Sequence, residues 1–239
     1  MNKDFESRQD KPRIVEIVGP AGAGKTTLCQ MLSCCEDIHV VDFPNVRDLG
    51  SVPFFARYGF EILGSVTRTH PADLKQLSRR QVAWLSILNG WPSILQREAR
   101  KSNDLIVLDQ GPVYLLAEMS LGGPCFLQTT NGKELWQKWY RQWSSALDTV
   151  VWLDAPDECL IQRIRAREKD HVVKDRPEHV ISAFLKEYRR AYECAFSSLS
   201  AHRQYFRVLR FDTSRHAPEE IAAELYTEFD LQTISSVDS

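Results

Sequence analysis

At 239 residues, with 43% hydrophobic and 26% charged side chains, the chain can bury the core of one generous α/β domain with a lid. A formal net charge of -2 supplies no global basic field for gathering nucleic acid, so the expected partner is a small phosphorylated ligand held by local positive charge. No stretch reaches the length of a membrane span, and residues 1–11 are polar without a signal-like apolar segment, so a cytoplasmic protein with no membrane partner is expected.

Residues 13–18 (RIVEIV) form an apolar run that predicts a first strand, and GPAGAGKTT follows it directly. This is a full match to GxxxxGK[ST], the phosphate-binding P-loop, in the strand-to-helix context that the motif requires. Gly19, Pro20, Ala21, Gly22, Ala23, Gly24, Lys25, Thr26 and Thr27 are therefore the expected nucleotide-binding residues. The glycines let successive N–H groups turn toward an oxyanion. Lys25 reaches the β- and γ-phosphates of ATP, and the Thr26 hydroxyl is placed to ligate Mg²⁺.

A helix over 26–35 and a short strand over 38–42 come next, then an irregular stretch marked by Pro44 and Gly50. Helical patterning returns over 53–63 and 72–101, with an interruption expected at Asn89-Gly90-Trp91-Pro92. Residues 104–109 (DLIVLD) suit a strand buried on both faces. A helix over 132–147 carries Trp136, Trp139 and Trp143 on one stripe, which favours core packing over base stacking. Strands at 149–154 and 206–211 alternate with helices at 156–169, 177–198 and 219–229. Six cysteines without a CxxC pair or zinc-spaced histidines are expected as reduced, buried thiols, with Cys34-Cys35 ending the first helix.

This alternation predicts a three-layer α/β fold: a parallel five-stranded sheet with helices on both faces. One domain over 12–230 is expected between flexible tails at 1–11 and 231–239, with a lid at about 163–177. Ligands of such sheets bind beyond the C-terminal strand ends, where Asp42, Asp109 and Asp154 fall. Asp109 is a candidate for holding Mg²⁺ or the acceptor, with turn capping as its alternative. Asp42 is a candidate proton acceptor or a turn former. Asp154 is expected to cap the helix beginning near Pro156. On that helix Arg163 and Arg167 share a face while Arg165 points away, and two guanidiniums on one face can grip phosphate oxygens during transfer. With Lys169, Lys174 and Arg176 following, this segment is expected to be the lid.

With these residues in order, the chain resembles the P-loop nucleoside and nucleotide kinases, especially the thymidylate kinase and deoxynucleoside kinase group. The resemblance runs from about Arg13 to Leu225 and is carried by the P-loop, by VVWLDAPDECLIQRIRARE (150–168) and by RVLRFDTSRHAPEEI (207–221). It implies a P-loop kinase fold with an arginine-bearing lid. It also implies transfer of the γ-phosphoryl of MgATP to a small-molecule hydroxyl or phosphate acceptor, a nucleoside or nucleotide. Lys25, Asp42, Asp109, Arg163 and Arg167 would be the catalytic residues, and Thr26 and Asp109 the metal ligands. A homodimer is left open, as is a P-loop nucleotide-binding or hydrolysing protein with a regulatory role.

Two departures stand out. Gln110 follows Asp109 where the group commonly has arginine, and Asp42-Phe43-Pro44 stands where Glu-Pro is usual. Arg47, Arg57, Arg79 or Arg80 could replace the missing cation. A GTP switch is disfavoured because no NKxD follows a late strand and Asp109-Gln110-Gly111 lacks DxxG spacing. A transport or repair ATPase is disfavoured because Leu77-Ser78-Arg79-Arg80-Gln81 puts arginines where LSGGQ needs glycines.

Overall fold

The computed structural model describes residues 14–45, 48–69, 77–101, 104–168, 170–203 and 206–231. The expected tails, apart from Leu231, thus lie outside the described residues, as do Arg47, Lys169 and the start of the helix expected from residue 72. Five strands form one sheet: β1 (Ile14–Val18), β2 (Ile38–Val41), β3 (Leu105–Asp109), β4 (Thr149–Asp154) and β5 (Arg207–Asp212). They are all parallel, in the order β2-β3-β1-β4-β5. Central β1 is buried at all five positions, because helices cover both faces of a parallel sheet.

Alternation along the strands divides the core in two. Ile14, Val18, Ile106, Leu108, Val150 and Trp152 face one layer, built from α2 (Val52–Thr69), α3 (Arg79–Ala99), α4 (Pro112–Gly122), α5 (Thr130–Ala146) and α7 (Glu178–Ser200). Val15, Ile17, Leu105, Val107, Val151 and Leu153 face the other, built from α1 (Lys25–Leu32), α6 (Asp157–Ala166) and α8 (Pro218–Glu228). The P-loop joins β1 to α1 and therefore opens at the C-terminal sheet edge. Among the described residues no helix is long and apolar enough to cross a membrane.

The aromatic stripe of α5 faces the interior: Trp139 and Trp143 are fully buried, and Trp136 packs partly against the same core. Trp143 also explains why the expected break at Pro92 is absent and α3 runs unbroken from Arg79 to Ala99. Proline cannot donate to the carbonyl four residues earlier, which is that of Leu88. The Trp143 indole N–H donates to that carbonyl instead, at 3.0 Å. Trp143→Phe should orphan it and lower stability by about 2 kcal/mol, read as a lower urea midpoint at unchanged m-value.

Other expectations need correction. The segment Leu77-Ser78-Arg79-Arg80-Gln81 starts α3 as a capping box, in which Ser78 Oγ accepts from the Gln81 N–H at 3.2 Å and Gln81 Oε1 from the Ser78 N–H at 3.0 Å. α1 stops at Leu32, so Cys34 and Cys35 lie in the turn beyond it. None of the six cysteines is in a disulfide; Cys29 and Cys35 are buried and Cys159 half-buried, but Cys34, Cys125 and Cys194 are exposed, since they fall on outward helix or turn positions. α6 ends at Ala166, three residues short of the expected end, and Arg167 is already extended with φ -68° and ψ 140°.

Candidate functional site

The P-loop geometry follows from its glycines. Gly22 and Gly24 have φ of 85° and 90°, left-handed values that cost a side-chain-bearing residue about 1 kcal/mol or more. A Cβ on Gly19 would lie 2.1 Å from the Leu153 carbonyl oxygen, so only glycine lets β1 leave the sheet this close to β4. Gly24 caps α1 without any side-chain hydrogen bond, which turns the first-turn N–H groups and the positive helix end toward an external anion.

Lys25 Nζ donates to the carbonyls of Gly19 at 2.8 Å and Pro20 at 3.0 Å. Burial pushes its ammonium down from 10.5 to about 8; the Asp109 charge opposes this shift and Arg167 adds to it. Asp109 is pushed up, first by burial and then by Asp42, while Lys25 pulls it down. Asp109 at the end of β3 thus interacts electrostatically both with Lys25, the first residue of α1, and with Asp42, just beyond β2. Cys29 sits among the same charges, and burial pushes its thiol well above the ordinary range, so it is an inert thiol.

A cleft of about 900 Å³ opens over the P-loop. Residues 19–28, Arg163, Arg167, Thr213 and His216 line it from the α1, α6 and α8 side. From α3, α4 and α7 come Arg80, Tyr114, Glu118, Phe184 and Tyr188, together with Gln110. Asp42 and Asp109 do not line this volume. Of the candidate cations, Arg80 borders the cleft; Arg57 pairs with Glu61 at 3.7 Å on the exposed face of α2, and Arg79 is exposed.

Arg163 and Arg167 both border the cleft, but not as two residues of one helical face. Arg163 is fixed: Nη1 donates to Thr213 Oγ1 at 2.8 Å and to the Gly22 carbonyl at 3.3 Å, and Nη2 to the Thr213 carbonyl at 2.8 Å. It ties the P-loop to the turn after β5. Arg167 has left the helix, and its carbonyl accepts from Lys174 Nζ. Arg165 turns away to Glu178 at 2.9 Å, as its position on α6 predicts. Burial, Arg167 and Lys25 push His171 below its ordinary range, so this cleft residue is neutral at pH 7.

Asp154 does not cap α6, whose N-cap is Pro156 without a side-chain bond. Its carboxylate instead meets Arg189 through two bonds of 2.8 and 3.0 Å, and Arg189 also reaches Asp157 at 2.6 Å. This ion pair braces the β4–α6 turn from α7. Nothing local in the sequence marks it, because its members stand 35 residues apart.

Glu16 also escaped sequence reading. It is completely buried on β1, where Oε1 accepts from the N–H groups of Gly111 at 2.6 Å and Tyr114 at 3.0 Å, and Oε2 from Val113 at 2.8 Å. A strand carboxylate therefore caps α4 in place of a residue of its own loop. Burial pushes Glu16 up to about 8 against these three donors, which favour the charged form. The same capped turn holds Gln110 at φ 62°, a left-handed conformation unusual for a non-glycine residue and facing the cleft. A charged residue interrupting an otherwise apolar central strand is the one signal that could have drawn attention to Glu16.

A family model described as an AAA domain matches residues 14–193. No curated protein sequence matches the chain. Among solved structures, the YorR protein of Bacillus subtilis, in complex with phosphorylated GDP, is 14% identical, with a TM-score of 0.52 over 91% of this chain and 95% of that one. The deoxyadenosine kinase of M. mycoides with bound dCTP is 15% identical, with a TM-score of 0.46 over 91% of this chain and 100% of that one. Its dATP complex is 15% identical, with a TM-score of 0.48 over 90% and 98%. With its P-loop and parallel β2-β3-β1-β4-β5 sheet, the chain belongs to the AAA domain family and shares the fold of the YorR protein.

Proposed function

We propose that the chain is an ATP-dependent small-molecule kinase, which transfers the γ-phosphoryl of MgATP to a hydroxyl or phosphate acceptor of nucleoside or nucleotide type. One observation carries this reading: a single cleft of about 900 Å³ runs from the P-loop to a separate set of polar and aromatic side chains on α3, α4 and α7. A donor and an acceptor can lie in it end to end, which is the arrangement that in-line transfer needs.

The chain's own groups divide the work. P-loop N–H groups hold the phosphates, and Lys25 exchanges its two carbonyl partners for the β- and γ-phosphate oxygens. Arg167 faces the transferring group and Arg163 holds the P-loop beneath it, while the Asp42–Asp109 pair takes the hydroxyl proton through water, since neither carboxylate lines the cleft. Thr26 and Asp109 offer the hard oxygen donors that Mg²⁺ prefers, and this ion takes most remaining ligands from phosphates and water, so two protein oxygens suit it. When bound, the ion neutralises charge between the β- and γ-phosphates. Small-molecule chemistry of this kind fits a cytoplasmic enzyme with no nucleic-acid or membrane partner.

Nucleotide binding should take up protons at mildly alkaline pH. Lys25 is held down at about 8 in the free protein, and phosphate charge raises it again. Above pH 8 affinity should therefore fall, by up to about tenfold per pH unit. Calorimetry at pH 8.5 in buffers of different ionisation enthalpy reads this uptake directly. The function itself is tested by ADP release from MgATP with nucleosides, nucleotides and sugars; an absence of acceptor-dependent ADP across all three would contradict it.

A further inference from the structure

The cleft wall beyond the P-loop is built around one carboxylate. Tyr188 on α7 donates its hydroxyl to Glu118 Oε1 at 2.7 Å. Tyr114, one helical turn before Glu118, interacts electrostatically with the same carboxylate and with Arg80. Arg80 in turn lies over the Trp84 ring, 4.1 Å from its centroid. Burial and the Glu118 charge push Tyr114 up to about 12 and Tyr188 higher still, so both phenols remain donors at any pH of interest.

A carboxylate has about four lone-pair sites, and the Tyr188 phenol occupies one of them. The others can accept from a ligand in the cleft. Phe184 and Tyr188, with ring centroids 4.5 Å apart, flank this region with flat apolar faces suited to a base or sugar ring. Charge is distributed unevenly along the cleft. Lys25, Arg163 and Arg167 stand at the P-loop end, whereas among the described residues of the far wall Arg80 is the cation, stacked over Trp84 and interacting with Tyr114 beside Glu118. A phosphate dianion placed there would meet the Glu118 charge in a partly dry site.

Resting on the kinase reading, we infer that the acceptor enters uncharged: Glu118, braced by Tyr114 and Tyr188, accepts a hydrogen bond from a hydroxyl acceptor of nucleoside size and discriminates against its phosphate ester. In the transfer, the acceptor oxygen bonds to the γ-phosphorus and the bond from that phosphorus to the β,γ-bridging oxygen breaks. ADP leaves with the electron pair, and the hydroxyl proton passes through water to the Asp42–Asp109 pair, which lies outside the cleft lining. The product carries the charge that this wall disfavours, which assists its release.

The test uses paired acceptors, nucleosides and hexoses each beside its monophosphate ester, with the full chain and MgATP. The uncharged member of at least one pair should show a kcat/KM at least about 100-fold above its ester. Glu118→Gln should raise the KM for that acceptor at least about tenfold while leaving the calorimetric Kd for MgATP unchanged. Tyr188→Phe, which removes one oxygen and keeps the ring, should raise the KM about fivefold, and it decides the matter if Glu118→Gln does not fold. Turnover with esters equal to or above that with uncharged partners would overturn the inference and leave the kinase reading standing, as would an unchanged KM in the folded variants. No turnover with any acceptor would instead end the kinase reading and this inference with it.

Discussion

Lys25→Met should stabilise the free protein by about 2 kcal/mol near pH 7 while lowering kcat/KM for MgATP at least about a thousandfold. The opposite signs have one cause. Burial holds the Lys25 ammonium at about 8 rather than 10.5, so below pH 8 the folded chain carries a desolvated charge that the unfolded chain leaves in water. A depressed value means stability lost as pH falls through 8 and recovered above 10.5. That penalty is worth about 3 kcal/mol, offset by about 1 kcal/mol for the two hydrogen bonds to Gly19 and Pro20 that methionine cannot make. Urea denaturation without nucleotide at pH 7 and pH 10 should show a gain that shrinks at the higher pH. A destabilised Lys25→Met chain at pH 7 would mean that the lysine is structural rather than held ready for phosphate.

Glu16→Ala should cost about 4 kcal/mol, one of the largest single-residue losses in the molecule. It removes the acceptors of three N–H groups at the start of α4 and leaves a hole at the centre of the sheet. Glu16→Gln should cost about half as much, because one amide oxygen still accepts while the amide nitrogen confronts an N–H. The pH dependence has a definite sign. Glu16 is raised from 4.5 to about 8, so the stability it contributes is complete below 4.5 and lost as pH rises through 8. Wild-type denaturation midpoints should therefore decline between pH 5 and pH 8, and Glu16→Gln should flatten that slope. Because the capped turn also holds Gln110 toward the cleft, activity should fall with either change even where the chain remains folded.

Much of the architecture was legible from period and punctuation. Five apolar runs, each ending near a turn signal, marked the strands to within a residue, and the glycines around Lys25 marked the anion site before any contact was known. What escaped was non-local. Pro92 promised a break, and only an indole from another helix, bonded to the Leu88 carbonyl, keeps α3 whole. Asp154 had the spacing of a helix cap, and an arginine 35 residues later claimed it. Arg163 and Arg167 shared a face only on the assumption that α6 continued past Ala166. The far wall of the cleft was least legible, because Arg80, Tyr114, Glu118 and Tyr188 belong to three helices that meet only through packing. Each is ordinary in its local sequence, whereas the P-loop is contiguous and carries its own signature.

Calorimetric titration of the full chain with a non-hydrolysable MgATP analogue tests the central claim most directly, namely that the bend from Gly19 to Thr27 holds a nucleotide's phosphates around Lys25. The account predicts saturable binding of one nucleotide per chain, lost in Lys25→Ala. A flat titration with well-folded protein, or undiminished binding by Lys25→Ala, would contradict it.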